Sequence, residues 1–386
     1  MNKIYKNIFV FAICFVSIMG TAMTVTIEDS KNNQKEIKVF SKDNLTYEEQ
    51  NRCTAPGLEK IGDITKNRYI IINGVANPLY CTFTDKEQAL KNIKEEVANL
   101  LEILAKKYNL ETLNDANWRK YEDALFEYLN VSTEGFESNE EFIKLRAFFD
   151  IYEGYELNDK ILDYIKKEAN LDSTRKYATV NYHHAFNLGI ILPYFSPLAQ
   201  EVNEIALSQT RQSVGMNVDA AANYAATWAT GRNKPTYYSF SSDCANFTSQ
   251  ILEASGVSQV VYTSVHSGWW HKRTLLGGAI WTHSHSNSWT VADTFSRYMG
   301  VGYSTKNHYN FSANIRRGDF IAADWTSNGS WDHVGFVGNR NSTTITVNGQ
   351  TYYNYIVAQH SKDYINFSSN TDWPTNDGRT WARVRR

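Results

Sequence analysis

The spacing of hydrophobic positions changes several times along this chain, and each change marks a different kind of element. Between residues 25 and 83 the apolar runs are short and β-like: Glu36 to Phe40, Arg68 to Asn73 and Leu79 to Phe83. From Thr84 the period becomes helical. Leu90, Ile93, Val97, Leu100, Leu101 and Leu104 recur three or four apart, and Thr84 with Glu87 has the form of a capping box. A second helix is predicted over Asp115 to Asn130, carrying Trp118, Tyr121, Leu125, Tyr128 and Leu129. A third follows Ser138, with Glu141 as its box partner and Phe142, Leu145, Phe149 and Tyr152 on its apolar face. A fourth is expected around Asn158 to Asn170.

Residues 176–204 read as a linker, with Pro193 and Pro197 as breakers. Residues 24–175 therefore form a mainly helical N-terminal domain with no motif that carries chemistry; packing, spacing or partner contact is its expected role. The pattern then shifts. Val218 to Ala229 is an Ala-rich helix, and a second helix starts at Cys244 with Phe247, Ile251 and Leu252 on its core face and Gly256 as its stop. Strands follow at Asp319 to Ala323, His333 to Val337, Thr344 to Val347, Tyr352 to Gln359 and Trp381 to Arg385. Asn348-Gly349 between two such runs signals a hairpin. Helices followed by an antiparallel sheet make residues 205–386 an α+β domain.

Composition narrows the setting. Lys3 and Lys6 precede the apolar run Ile8 to Gly20, too short to span a bilayer comfortably and followed by small residues up to Ala22. Residues 1–23 read as a signal peptide; the alternative is an uncleaved anchor. The expected location is secreted or cell-surface, by Gram-positive-type export, with membrane contact only through the signal segment. Cys14 leaves with that segment. Of Cys53, Cys81 and Cys244, the first two flank a short segment and can close a disulfide, which makes Cys244 the free thiol. The net charge is −2 and the pI about 6.5, which offers no electrostatic case for nucleic acid.

The candidate chemistry centres on Cys244. Asp243 is placed to cap the helix, leaving Cys244 in the first turn, where free backbone N–H groups favour a thiolate. The alternative is that Cys244 is a small buried apolar residue. A thiol nucleophile needs a base and a group that orients the base. His333 opens an apolar strand and is the leading base. Asp332 should point away from the face His333 uses, since strand side chains alternate. His360, at the end of the strand after the hairpin, is the expected orienter and Gln359 the backup; the two alternate, so only one faces in. The N–H of Cys244 is one oxyanion donor. The hydroxyl of Tyr237 or Tyr238 is a candidate second, and Asn246 and Gln250 are expected to bond each other or hold the loop.

Other features are weighed against this. His266, His271, His283 and His285 lie close in sequence, but no carboxylate or thiol is near to complete a metal site, so no metal and no cofactor is expected. Nine of the ten Trp lie beyond residue 200. Trp269, Trp270, Trp281 and Trp289 line a substrate groove or form core. Arg379, Arg383, Arg385 and Arg386 read as a solvated basic run or a contact for anionic wall polymer.

Six pieces occur in order: Ala220-Ala221-Ala222-Asn223-Tyr224-Ala225, Asp243 to Gln250 (DCANFTSQ), Ser288-Trp289-Thr290, Gly318-Asp319-Phe320-Ile321, Asp332 to Val337 (DHVGFV) and Gln359-His360-Ser361. Together they resemble the amidase domain family of exported Gram-positive proteins, within the papain-like superfamily that includes the NlpC/P60 and CHAP cell-wall hydrolases. The resemblance covers about residues 205–386 and departs from the family at Ala220 to Ala222, where an Asn-Arg pair precedes the alanines. It implies a papain-like (NlpC/P60-like) catalytic domain, a Cys244/His333 dyad, His360 as third member, and hydrolysis of an amide bond in peptidoglycan or another peptide substrate. Low-ranked substrate or oxyanion contacts are Tyr238, Asp243, Asn246, Gln250 and Trp269. The competing expectation is a non-catalytic wall- or surface-binding protein with an idle papain-like domain.

Overall fold

A computed structural model of the chain describes residues 23–26, 53, 57–65, 68–72, 75–131, 140–168, 177–180, 182–209, 215–234, 236–276, 280–374 and 379–384. The signal segment before Met23, the run Glu36 to Phe40, and Arg385 and Arg386 lie outside the described residues. No helix among the described residues is long and apolar enough to cross a membrane.

The elements run in order as β1 (Met23–Thr26), β2 (Ile64–Thr65), β3 (Tyr69–Ile72), β4 (Val75–Pro78), β5 (Thr82–Phe83), α1 (Lys86–Glu96), α2 (Ala98–Tyr108), α3 (Trp118–Val131), α4 (Glu140–Glu168), β6 (Tyr177–Val180), α5 (Tyr182–Ile191) and α6 (Pro197–Gln209). There follow α7 (Val218–Trp228), α8 (Cys244–Ala254), β7 (His271–Leu276), β8 (Ile280–His285), α9 (Asn287–Thr290), α10 (Ala292–Met299), β9 (Val301–Thr305), α11 (His308–Asn314), β10 (Phe320–Asp324), β11 (His333–Val347), β12 (Gln350–Gln359), β13 (Tyr364–Phe367) and β14 (Thr380–Val384).

The chain divides into two compact units. The first holds residues 1–46, 67–80 and 156–202. Its sheet has the order β4-β3-β1-β6, and its core is built from Ile70, Ile72, Leu79, Ile161, Ile165, Leu188 and Leu192. Asn158 bonds both the N–H and the carbonyl of Tyr80, at 2.9 Å each, so a buried loop backbone is satisfied by one side chain.

The second unit holds residues 47–66, 81–155 and 203–386. Residues 81–155, read from the sequence as part of a separate helical domain, share this unit with the carboxyl-terminal segment. A disulfide joins Cys53 to Cys81, and the helices α1 to α3 with the first half of α4 pack around Ile93, Leu104, Trp118, Leu125, Phe148 and Tyr152. The antiparallel sheet has the order β13-β12-β11-β10-β14-β9. The Asn348-Gly349 turn joins β11 to β12 with both residues at positive φ, as a tight hairpin turn requires.

Several expectations are corrected. Asp85, not Thr84, caps α1, accepting from the N–H of Gln88. The run expected as one helix breaks at Val97 into α1 and α2. The third and fourth expected helices are one, α4, which runs unbroken through Gly154. A Cβ on Gly154 would lie 2.1 Å from the Cys81 carbonyl oxygen, so glycine here permits a close approach. The expected linker at 176–204 contains β6, α5 and most of α6; Pro193 falls between the two helices and Pro197 opens the second.

Candidate active site

Cys244 opens α8 as expected, and nearly the whole helix is buried from Cys244 to Leu252. It is the free cysteine among the described residues and is 3% exposed. Asp243 occupies the cap position, but its carboxylate makes no capping bond, which corrects the sequence expectation. The carboxylate is drawn elsewhere. Oδ1 accepts from the N–H of Phe240 at 2.9 Å and from Asn246 Nδ2 at 2.8 Å. Oδ2 lies 2.6 Å from His360 Nδ1, with Arg232 Nε at 3.6 Å. With the cap withdrawn, the backbone N–H groups of Cys244, Ala245 and Val334 work to lower the thiol. Val334 follows His333 at the start of β11, so the helix start and the strand start meet at the thiol.

Burial pushes the Cys244 thiol up to about 11, against these three N–H groups; the Asp243 charge adds to the rise. His333 is 4% exposed and lies against the Trp325 ring, centroids 5.6 Å apart. Burial brings its imidazole down to about 4, opposed by Asp372 and by a hydrogen bond donated to the Gln359 side chain, and assisted by Arg146 and Arg379. Nε2 of His333 is buried with no hydrogen-bond partner. A neutral imidazole donating through Nδ1 leaves the Nε2 lone pair open, which is the form a general base needs. The resting pair is thus a neutral thiol and a neutral imidazole.

Strand alternation decides which neighbour orients His333. The pairing Phe336 with Ala358 and Val337 with Val357 puts Gln359 on the His333 face of the sheet and His360 on the other. His360 is therefore corrected as the orienter. Its Nδ1 meets Asp243, its Nε2 lies 2.9 Å from the Trp228 carbonyl, and its ring stacks on Phe247 at 3.8 Å. Gln359 is fixed in turn: its Oε1 accepts from Trp373 Nε1 at 2.7 Å and its Nε2 donates to the Lys362 carbonyl at 3.2 Å. Asp332 turns away as expected, accepting from the N–H of Trp325 at 2.7 Å.

The remaining candidates separate. Asn246 holds the loop: Nδ2 donates to the Tyr238 carbonyl at 2.9 Å and Oδ1 accepts from Trp289 Nε1 at 2.8 Å. Gln250 does not meet Asn246; its Oε1 accepts from the Tyr224 hydroxyl at 2.8 Å. The Tyr237 hydroxyl is bound to Glu253 at 2.7 Å, which removes it as an oxyanion donor. Tyr238 is exposed, with its ring against Phe240 at 4.8 Å. Trp269, Trp270 and Trp289 are buried, and Trp269 donates to Ser249 Oγ at 2.9 Å, so Trp269 is core and not a substrate contact. Trp281 alone of these four is exposed. His271 Nε2 and His283 Nδ1 are 2.9 Å apart, and no metal-binding group of three or more His, Cys, Asp or Glu occurs among the described residues.

Sequence reasoning missed a contribution from the helices. Arg146 of α4 places its guanidinium 4.4 Å from the Trp325 ring centre, beside Arg379 at 4.1 Å, and pairs with Asp372 at 3.2 Å. Burial works to raise Asp372, but Arg379 and Arg146 outweigh it and hold the carboxyl at about 2. On the Cys244 side, Ser241 donates to Asp123 of α3 at 3.1 Å. Both walls of the site are thus tied to α3 and α4. No local signal marks Arg146 for this role; it lies far from His333 in sequence.

Residues 215–385 match the model of the family described as "Putative amidase domain". A Bacillus subtilis (strain 168) relative, "Uncharacterized protein YhbB", is 31% identical over 135 residues, 34% of this chain and 40% of its own length. The chain therefore matches less than half the length of that relative. No solved structure matches the chain.

Proposed function

We propose that the segment 215–385 is a papain-like cysteine amidase or endopeptidase of the cell surface that cuts an amide bond in peptidoglycan. The observation that carries this reading is the buried Cys244 thiol at the first turn of α8, together with the buried His333 at the start of β11, whose Nε2 is unpartnered. Nε2 takes the Sγ proton as the sulfur attacks the carbonyl carbon. The C–N bond of the tetrahedral adduct breaks, the amine leaves with the proton from His333, and a thioester remains. Water, deprotonated by Nε2, adds to the thioester and releases the acid and the thiol. The N–H of Cys244 is the nearest oxyanion donor. Gln359 is the positioning residue for His333. Asp243 and His360 fix the start of α8.

The test is digestion of purified peptidoglycan by wild type and by Cys244→Ala, with fragments read by mass spectrometry. Cys244-dependent fragments of defined mass are expected and name the bond. Fragments made equally by both proteins overturn the mechanism. One observation favours a second reading, an idle binding domain: both reactive groups are almost wholly buried, Cys244 at 3% and His333 at 4% exposed. On that reading wild type releases no fragments and binds the wall as well as Cys244→Ala does.

A further inference from the structure

The β7–β8 hairpin forms a two-stranded sheet of its own. The pairs run His271 with His285, Arg273 with His283, Leu275 with Trp281 and Leu276 with Ile280. At its base the rings of His271 and Trp289 are 5.5 Å apart, and Trp289 is bonded to Asn246, two residues from Cys244. Its far end is apolar and in water: Leu275 is 43%, Leu276 55% and Trp281 48% exposed. Leu275 and Trp281 lie on one face and Leu276 on the other, because side chains alternate. A groove for a sugar chain or a flat protein partner would use one face. An end that is apolar on both faces suits a medium that surrounds it.

Charge narrows the occupant. In a chain of net charge −2, residues 254–292 contain no Asp or Glu, while Lys272 and Arg273 sit three to four residues behind Leu276. At about 3.3 Å per residue these cations lie roughly 10–13 Å above the end. An interfacial segment buries its apolar part about 5–10 Å into the headgroup/acyl boundary and keeps its cations at the headgroups. The Arg273 guanidinium also lies 3.7 Å from the Trp281 ring centre, an aromatic–cation pair suited to the interface.

We propose that the β7–β8 hairpin is a membrane-surface anchor that inserts Leu275, Leu276 and Trp281 into bilayers rich in anionic lipid. It holds the Cys244 site at the membrane face without spanning it. The inference is independent of the amidase reading, since it uses no property of the thiol.

The test uses the purified chain with vesicles of phosphatidylglycerol and phosphatidylcholine, or of phosphatidylcholine alone, carrying brominated acyl chains. The readout is tryptophan quenching in wild type minus that in Trp281→Phe, which reports Trp281 however else the chain is tethered. Trp281-dependent quenching is expected with anionic vesicles. It should be at least ten-fold weaker in lipid titre for the pair Leu275→Ser with Leu276→Ser, and about ten-fold weaker for Lys272→Glu with Arg273→Glu or for the neutral vesicles. Absence of Trp281-dependent quenching in anionic vesicles overturns the proposal. So does a Trp281 signal produced by soluble glycan strands, or by raising protein concentration without lipid, when lipid produces none; these would assign the end to a glycan or to a second copy.

Discussion

His360 Nδ1 lies 2.6 Å from Asp243 Oδ2, and both side chains are 1% exposed. The other ring nitrogen lies 2.9 Å from the Trp228 carbonyl, so both nitrogens face acceptors. Removing one partner of such a pair strands the other in a dry site, at a cost of about 3–5 kcal/mol. His360→Gln should therefore lower unfolding free energy by several kcal/mol, measured by urea titration. A loss below 1 kcal/mol would show that the pair does not hold the start of α8.

Gln359 gives the contrasting case. It touches His333, not the thiol helix, and is anchored by Trp373 and the Lys362 carbonyl. Gln359→Ala should lower kcat by about 10–100-fold with little change in KM, because a loosened imidazole takes the proton less often. Gln359→Asn should recover less than full activity, being one methylene short. If Gln359→Ala keeps wild-type kcat, His333 is oriented by something else.

The thiol makes a prediction about pH. Burial places Cys244 at about 11, so at pH 7–8 it is a thiol. Iodoacetamide should modify the folded protein more slowly than the same protein in urea, where Cys244 titrates near 9. The folded rate should climb as pH rises toward 11. Because the folded state keeps its proton longer, it loses stability between about pH 9 and 11. Fast alkylation at pH 7 would mean a preformed thiolate and would contradict the neutral pair.

The sequence was a good guide where one strong local rule applied. Cys244 at a helix start, His333 at a strand start and the Asn348-Gly349 turn follow from periodicity and turn chemistry. Most sheet strands after residue 315 are legible for the same reason, but β11 runs unbroken through the two strands expected at His333 to Val337 and Thr344 to Val347, and β13 is not among the expected strands. What failed depended on tertiary geometry. Strand alternation said only one of Gln359 and His360 faces His333; which one is set by the β11–β12 register. Asp243 was a sound cap by rule, but a buried imidazole competes for its carboxylate more strongly than a backbone N–H does. Arg146 and Asp372 meet across 226 positions, and no periodicity reports that.

Gly154 is a sharper case of tertiary override. Glycine inside a helix usually costs about 1 kcal/mol relative to alanine, so Gly154→Ala would be read from sequence as stabilising. In α4 the added Cβ would meet the Cys81 carbonyl oxygen at 2.1 Å and Thr82 Cγ2 at 3.2 Å. The first neighbour is backbone next to a disulfide and has little room to move. Gly154→Ala should lower Tm, and an unchanged or higher Tm would show that β5 and α4 can separate without cost.

His308 predicts how the sheet unit responds to acid. It is buried, and neither ring nitrogen has a partner. Its ring centre lies 4.7 Å from that of Trp381, 5.0 Å from that of Tyr352 and 5.5 Å from that of Phe311. Burial brings it from 6.5 down to about 3, with Arg379 adding to the effect. The unfolded chain therefore binds a proton below about pH 6.5 that the folded chain refuses until about pH 3. Stability from this group is complete above 6.5 and drains away as pH falls through that window, on the order of 4 kcal/mol in all. His308→Phe removes the titration and keeps an aromatic ring in the cluster. It should flatten the stability profile between pH 6.5 and 3 and leave the variant more stable than wild type at pH 4.5. Urea titrations at pH 7.5, 6 and 4.5 on both proteins check this; parallel profiles would show that His308 is protonated in the folded state.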